Sequence, residues 1–316
     1  MSHGIEEPVA QLTPILICAF VRSTKFKVVV DSLAGLSNPV YFWFDGPRDN
    51  TDDAMHIQES IRIAKSSNLN TMEIITNSTN SGTNSVAMAI SWIFKKYDRA
   101  IIIEEDVVVS RFFISFAEEM LRLYENDFRI GSVTSMNLVP QEFISNLNTP
   151  YRFSSFFYAW GWATWSSRWN KMSHGTSDWD YSKIIWPKGV RNKLSQSRWL
   201  IGLNAVRNGS APGLWDYRWI YCYWVNGWLT IVPNLNLGMN IGFGFDATHT
   251  QDKPSWAPTE ISSNLRNELL NPIMKVKPDV RADKWAAKHV HSSSPMVVLK
   301  TKVKHYINIF RFKLSI

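Results

Sequence analysis

An alternation of short apolar runs with stretches of helical periodicity fills residues 15–124 and leaves few folds open. Residues 15–21 form a continuous apolar run, as expected of a strand covered on both faces. Residues 25–36 then set Phe26, Val29, Val30 and Leu33 at helical spacing and end near Gly35. A second strand is expected over 40–44, stopped by the turn signal Asp45-Gly46-Pro47. Asp52 and Asp53 open a helix to residue 67, with their charges at the positive end of its dipole. A third strand over 71–76 leads into the polar loop NSTNSGTNS. The helix after it carries Val86, Ile90, Ile93, Phe94 and Tyr97 on one face. A fourth strand over 100–103 and an amphipathic helix over 110–124 complete the series. This rhythm predicts an α/β fold, a mostly parallel sheet with helices on both faces.

In such sheets ligands bind beyond the carboxyl ends of the strands. Asp45, the loop holding Asn80 and Gly82, and the acids Glu104, Glu105 and Asp106 all follow strand ends, so they are expected along one edge. The acid cluster is the sharpest signal. It reads AIIIEEDVVVS over 100–110, three consecutive carboxylates between hydrophobic runs. Desolvation and mutual repulsion both disfavour such a cluster, and a divalent cation offsets both. Oxygen-only donors point to Mn²⁺ or Mg²⁺, which take one or two carboxylates and complete their shell with water and substrate phosphates. A diphosphate-bearing substrate is therefore implied. A solvated strand end is the plainer alternative.

Composition narrows the class further. The 316 residues are 45% hydrophobic and 19% charged, as in ordinary globular proteins. No apolar run approaches the roughly 18–20 residues a membrane span needs. PILICAFV lacks the basic flank and cleavage site of a signal peptide. Cys18 and Cys222 offer neither a disulfide framework nor zinc spacing, which fits a reducing, cytoplasmic compartment. The net charge of +7 is concentrated: residues 275–316 hold 10 Lys/Arg against 2 Asp/Glu, and residues 1–274 hold 24 against 25. A basic tail on a neutral body suggests a surface anchor and not a nucleic-acid partner. Tryptophan is uneven too, with 11 of 15 between Trp160 and Trp228. These shifts divide the chain into an aliphatic βα part (13–135), a Trp-rich part (136–274) and a basic extension (275–316).

The segments NSGTNSVAMAISWIF and YDRAIIIEEDVVVSRFFISFAEEMLRLY resemble the GT-A glycosyltransferases. In particular they are similar to bacterial surface-polysaccharide transferases related to N-acetylglucosaminyltransferase I. The likeness extends to YAWGWATWSSRW, WDYRW and PNLNLGMNIGFGFDATHT, covering roughly residues 13–250. It implies a GT-A, Rossmann-like fold with a Trp-rich acceptor side. It also implies that Asp106 is the direct metal ligand, bridging the ion to the donor diphosphate. Glu105 would lie near the ribose and Glu104 near the base or supporting the loop. The acid motif stands here as Glu-Glu-Asp where the family's commoner pattern is Glu-Asp-Asp, which puts the ribose contacts in question. Asp45 would face the uracil-ribose end of the donor, although an Asp before Gly also simply forms a turn. Arg22, in the glycine-poor turn FVRSTKF, would supply a cation to the nucleotide, with a structural salt bridge as its alternative. The absence of a Gly-rich phosphate loop there counts against a sugar-phosphate nucleotidyltransferase.

Inverting transfer needs one carboxylate to deprotonate the acceptor while the nucleoside diphosphate leaves from the opposite face. Asp216, between Trp215 and Tyr217, is the expected base, since partial desolvation strengthens it and the resemblance sets the family's base in this segment. The alternative is a helix cap for YRWIYCYW. In the aromatic block around 156–169, most rings are expected to pack, with Trp160 and Gly161 lining the site by stacking and by close backbone approach. The resemblance implies that His249, after a Gly-rich segment, and more weakly Asp246 complete the metal site, with an ordinary surface histidine as the alternative. Residues 300–316 read KTKVKHYINIFRFKLSI, a basic amphipathic pattern of the membrane-lying kind, or else a docked terminal helix. The expected partners are a nucleotide-sugar donor, a lipid-linked saccharide acceptor and an anionic membrane surface. A non-catalytic glycan-binding protein is the remaining rival.

Overall fold

The structure is a computed structural model, and it describes residues 12–49, 51–172, 175–211, 213–244, 252–262, 273 and 275–291. In chain order the first half comprises β1 (Ile15–Ala19), α1 (Ser23–Ser32), β2 (Val40–Phe44), α2 (Thr51–Ser66), β3 (Thr71–Thr76), α3 (Asn84–Ile93), β4 (Arg99–Glu104), β5 (Val107–Val109) and α4 (Arg111–Leu123). The second half comprises β6 (Ile130–Thr134), β7 (Tyr151–Ser154), β8 (Trp162–Trp165), α5 (Ser166–Trp169), α6 (Lys193–Arg207), α7 (Trp215–Val225), β9 (Leu229–Pro233), β10 (Gly238–Asn240) and α8 (Val280–His289).

Eight strands form one sheet in the order β3-β2-β1-β4-β8-β6-β9-β7. β1 pairs parallel with β2 and β4, β2 with β3, and β6 with β9. β8 runs antiparallel between β4 and β6, and β7 antiparallel beside β9. The expected α/β class with a mostly parallel sheet is therefore observed. Every residue of β1, β2 and β6 is buried, so both sheet faces are covered at these strands. Edge strand β3 has no fully buried residue, which explains its more polar sequence.

The local rules read from the sequence operate here. Phe26, Val29 and Val30 of α1 are buried, and the Phe26 ring meets Phe42 and Phe44 edge-on at 5.7 and 5.5 Å. α4 starts at Ser110, whose hydroxyl accepts from the Phe113 amide at 3.2 Å. The run expected as a strand to residue 21 ends at Ala19, because the Phe20 and Arg22 amides donate to the Glu105 carboxylate.

Part of the basic extension belongs to the fold. The Asp279 carboxylate caps α8 and also accepts from the Ser145 amide and hydroxyl at 2.7 and 2.6 Å. Buried Asp283 accepts from the Ser154 hydroxyl at 2.6 Å and the Ser155 amide at 2.9 Å, tying α8 to β7. Residues 300–316 lie outside the described residues. Among the described residues no helix is long and apolar enough to cross a membrane.

Candidate active site

β4 delivers Glu104 at its last position, and Glu105 and Asp106 turn into β5. Glu105 is 8% exposed, and its Oε2 accepts from the Phe20 amide at 2.7 Å and the Arg22 amide at 3.2 Å. It therefore fastens the β1–α1 turn. The Arg22 guanidinium, 13% exposed, bonds Asp106 and comes within 3.9 Å of Glu105. Arg22 is thus held in a salt bridge by the acids, as its structural reading expected.

The electrostatics of this strand end are unfavourable as built. Burial raises Glu104 to about 8, helped by the charges of Asp106, Glu105 and Asp216 and opposed by Arg22. Burial likewise raises Glu105 to about 7, while the Phe20 amide and Arg22 oppose the shift. One guanidinium does not neutralise this cluster. Its all-oxygen donor set fits a hard divalent cation. Among the described residues no three Asp, Glu, His or Cys side chains converge into a complete protein cage.

A distant segment closes over Asp106. β10 pairs antiparallel with β5, setting Asn240 opposite Val107, and the Ile241 amide donates to the Asp106 carbonyl at 2.8 Å. A Cβ on Gly242 would overlap the Asp106 carboxylate, and the Gly242 amide donates to Asn240 Oδ1 at 2.6 Å. The sequence reading missed Asn240 and Gly242. The only available signal was the glycine-rich run that contains Gly242. His249 and Asp246 lie outside the described residues.

Asp45 serves the neighbouring loop. It is 5% exposed, and its oxygens accept from the amides of Gly46 and Ser81, each at 3.0 Å, and from Asn80 Nδ2 at 3.1 Å. Asn80 also donates to the Gly46 carbonyl at 2.9 Å. Asp45 thus clasps the two loops, as the turn reading of it expected. A Cβ on Gly46 would lie 2.4 Å from the Thr79 backbone, so the two loops need glycine there. Gly82 has φ +58° with Asn80 Oδ1 at an ordinary 3.9 Å from its Cβ position, which marks a turn residue. Next to it, Thr83 Oγ1 donates to the Gly213 carbonyl at 2.5 Å, joining this loop to the start of α7.

α7 presents Asp216. Its N-cap is Leu214 and no side chain caps it, so Asp216 is not the cap that the alternative reading supposed. Trp215 and Trp219, one turn apart, are buried against Trp162 and Trp169, with ring centroids 5.1–6.0 Å apart. The intervening phase turns Asp216, Tyr217 and Ile220 toward a cavity of about 300 Å³. Trp160, Trp256, Arg198 and His291 also line it. Trp160 stacks on Trp256 at 5.9 Å and 20°. Burial, with Arg198 nearby, lowers His291 to about 3, so its ring stays neutral.

Gly161 has φ +62°, as a close-approach glycine should, but the neighbour is protein. A Cβ there would lie 2.7 Å from both Ser135 Oγ and Val109 Cγ1. Gly161 therefore packs closely between β5 and the end of β6. The structure thus brings together Arg22, Glu104, Glu105, Asp106 and, through its field at Glu104, Asp216. Asp45, Asn80 and Gly82 form the adjoining loop, and Trp160 belongs to the aromatic cavity.

No protein-family profile matches the chain, and no curated protein sequence matches it. Solved structures do. A mannosyltransferase from Pyrobaculum calidifontis, in complex with GDP-mannose and Mn²⁺, is 12% identical over 48% of this chain and 44% of its own, with a TM-score of 0.32. TarS residues 1–349 from S. aureus are 13% identical over 49% of this chain and 47% of their own, with a TM-score of 0.32. GalNAc-T7 with UDP, GalNAc and Mn²⁺ is 12% identical over 72% of this chain and 43% of its own, with a TM-score of 0.40. The chain spans less than half the length of each of these three.

Proposed function

We propose that this chain is an inverting, metal-dependent GT-A glycosyltransferase. It moves a sugar from a nucleotide-diphosphate donor, a UDP-sugar by preference, to a saccharide acceptor in surface-polysaccharide assembly. The observation that carries this reading is one strand-end acid cluster, near enough to Asp216 that its charge acts on Glu104, with Asp216 itself lining an aromatic cavity of about 300 Å³.

In this reading Asp106 holds Mn²⁺ or Mg²⁺, with a further ligand from the 246–249 segment. When bound, the ion neutralises charge developing on the departing diphosphate. Arg22 adds a second positive charge on the leaving-group side, and Glu105 keeps the β1–α1 turn against it. Glu104, at the end of β4, would lie near the donor base or support the loop. Asp216 accepts the proton of the acceptor hydroxyl as that oxygen attacks the anomeric carbon, and the bond to the diphosphate breaks on the opposite face. Hydrolysis by paired carboxylates needs an acid to protonate a poor leaving group, whereas here a single base suffices. Trp160 and Trp256 supply apolar faces for a sugar ring. The acceptor is lipid-linked and met at the inner face of an anionic membrane, which suits the basic tail.

The test is a thermal-shift screen of UDP-, GDP- and dTDP-sugars with and without Mn²⁺, since a bound ligand raises apparent stability by mass action. One donor class is expected to give an Mn²⁺-dependent shift. Asp106→Ala should lose it. Asp216→Asn should keep it and lose transfer by about 10²–10⁴-fold. Normal binding and transfer by Asp106→Ala would overturn the assignment.

A further inference from the structure

Three cavities in the second half of the molecule share walls. The first, of about 300 Å³, contains Asp216 and has Leu138 and Trp256 on its rim. The second, of about 320 Å³, is lined by the same Leu138 and Trp256 and ends on Trp285 and His289. The third, of about 950 Å³, begins at Trp285 and His289. Together they make a track from the candidate base to α8.

The character of the track changes along its length. Its start is aromatic, with Trp160 stacked on Trp256. Its middle passes Trp285, which stacks on His289 at 4.6 Å. Its far end is strongly basic: Lys188, Lys275, Lys277, Arg281, Lys284 and Lys288 all line the third cavity, and all are exposed. Among the described residues none of these six makes an ion pair. Asp279 is the acid lining this cavity, and its oxygens are already engaged by Ser145 and by the α8 amides. Exposed salt bridges occur elsewhere on the surface, as at Arg62–Glu59 and Arg122–Glu119. The unbalanced charge is thus a property of this cavity. Six clustered cations repel one another unless an anion joins them.

We infer that the track is the binding site of an extended acceptor, a saccharide whose far end carries a phosphate or diphosphate group seated in the basic cavity beside α8. This rests on the glycosyltransferase reading for the role of Asp216, but the binding claim stands apart from turnover. The reacting hydroxyl lies at Asp216, the following sugar rings lie on Trp256 and Trp285, and the phosphates meet Lys284 and Lys288. Aromatic faces suit sugar C–H groups, and clustered Lys/Arg suits phosphate oxygens. The opposite charges at the two ends also fix the direction in which such a molecule lies.

The test compares two probes by equilibrium binding to the full chain. One is N-acetylglucosamine joined to a farnesyl chain through a diphosphate; the other is the same sugar and chain joined by an ether. The diphosphate probe is expected to bind at least tenfold more tightly. The exposed-site variant Lys284→Ala/Lys288→Ala should abolish that difference without weakening the ether probe, and Trp256→Ala should weaken both. Equal binding of the two probes, or a preference that survives in the double variant, overturns the inference. Binding to vesicles containing anionic lipid, without any preference between the soluble probes, would assign the charge to headgroups and overturn it as well. Failure of the glycosyltransferase reading shows separately, as absence of transfer from every nucleotide sugar while the probe preference persists.

Discussion

Single residues decide how closely the backbone segments around the site can approach. At Gly161 two requirements coincide, a positive φ of 62° and contacts at 2.7 Å where a Cβ would stand. Gly161→Ala is therefore expected to lower stability by about 2–4 kcal/mol, combining left-handed backbone strain with overpacking. A urea midpoint within error of the parent would show that the segment relaxes freely. This is also where sequence reasoning met its limit. The glycine was visible and its use for a close approach was foreseen, but the neighbour was not. Ser135 lies 26 positions away and Val109 lies 52 away, and no local pattern encodes such contacts. Glu105 is similar: its charge is plain in the sequence, whereas its bonds to the Phe20 and Arg22 amides arise only from the pairing of β1 with β4.

At the scale of elements, the loops after β2 and β3 act as one unit because Asp45 holds them together. Asp45→Ala strands the amides of Gly46 and Ser81 and the Asn80 side chain. It should cost about 1–3 kcal/mol, concentrated in this unit. Hydrogen exchange checks this: amides over 77–83 should lose protection in the variant while those of β1 and β4 keep theirs. Equal loss throughout would make Asp45 a global and not a local fastening. The parallel strands β1 to β4 were legible because each is a compact run of apolar or β-branched residues between turn signals. The antiparallel strands β7 and β8 were not. Trp162–Trp165 is a strand and Trp215–Val225 a helix, yet both are aromatic runs in which hydrophobicity alone carries no period. The site was legible to the same extent: strand-end acids and Asp216 stood out, whereas the β10 segment over Asp106 did not.

For the molecule as a whole, stability against pH reports on its buried groups. His291 is held near 3 by burial, against an ordinary value of 6.5. Between those values the unfolded chain takes up a proton that the folded chain does not. This group's contribution is therefore complete above about 6.5 and is lost as the pH falls toward 3. Buried Asp283, raised to about 6, acts in the opposite sense, since its unfolded form releases the proton first. Arg198 and Asp216 line the same cavity as His291, so its charging there is opposed by one and favoured by the other. His291→Phe, whose ring can retain the stack on Phe156, should therefore gain stability relative to the parent as the pH falls from 7 to 5. Urea midpoints of both proteins at the two pH values measure this. A difference that does not change with pH would mean that His291 titrates normally.

The ribbon of β5 and β10 has a consequence for the order in which the chain becomes competent. Asp106 leaves β4 early in synthesis, but the groups that enclose it, Asn240 and Gly242, follow more than 130 residues later. A growing chain can complete its parallel core long before that segment emerges. Until then Asp106 lacks the cover of that segment, whereas Glu105 already meets the β1–α1 turn. Asp106 is enclosed only when residues from the last third of the chain are laid against it. Competence therefore comes at the end of folding, in the step that lays residue 242 against residue 106.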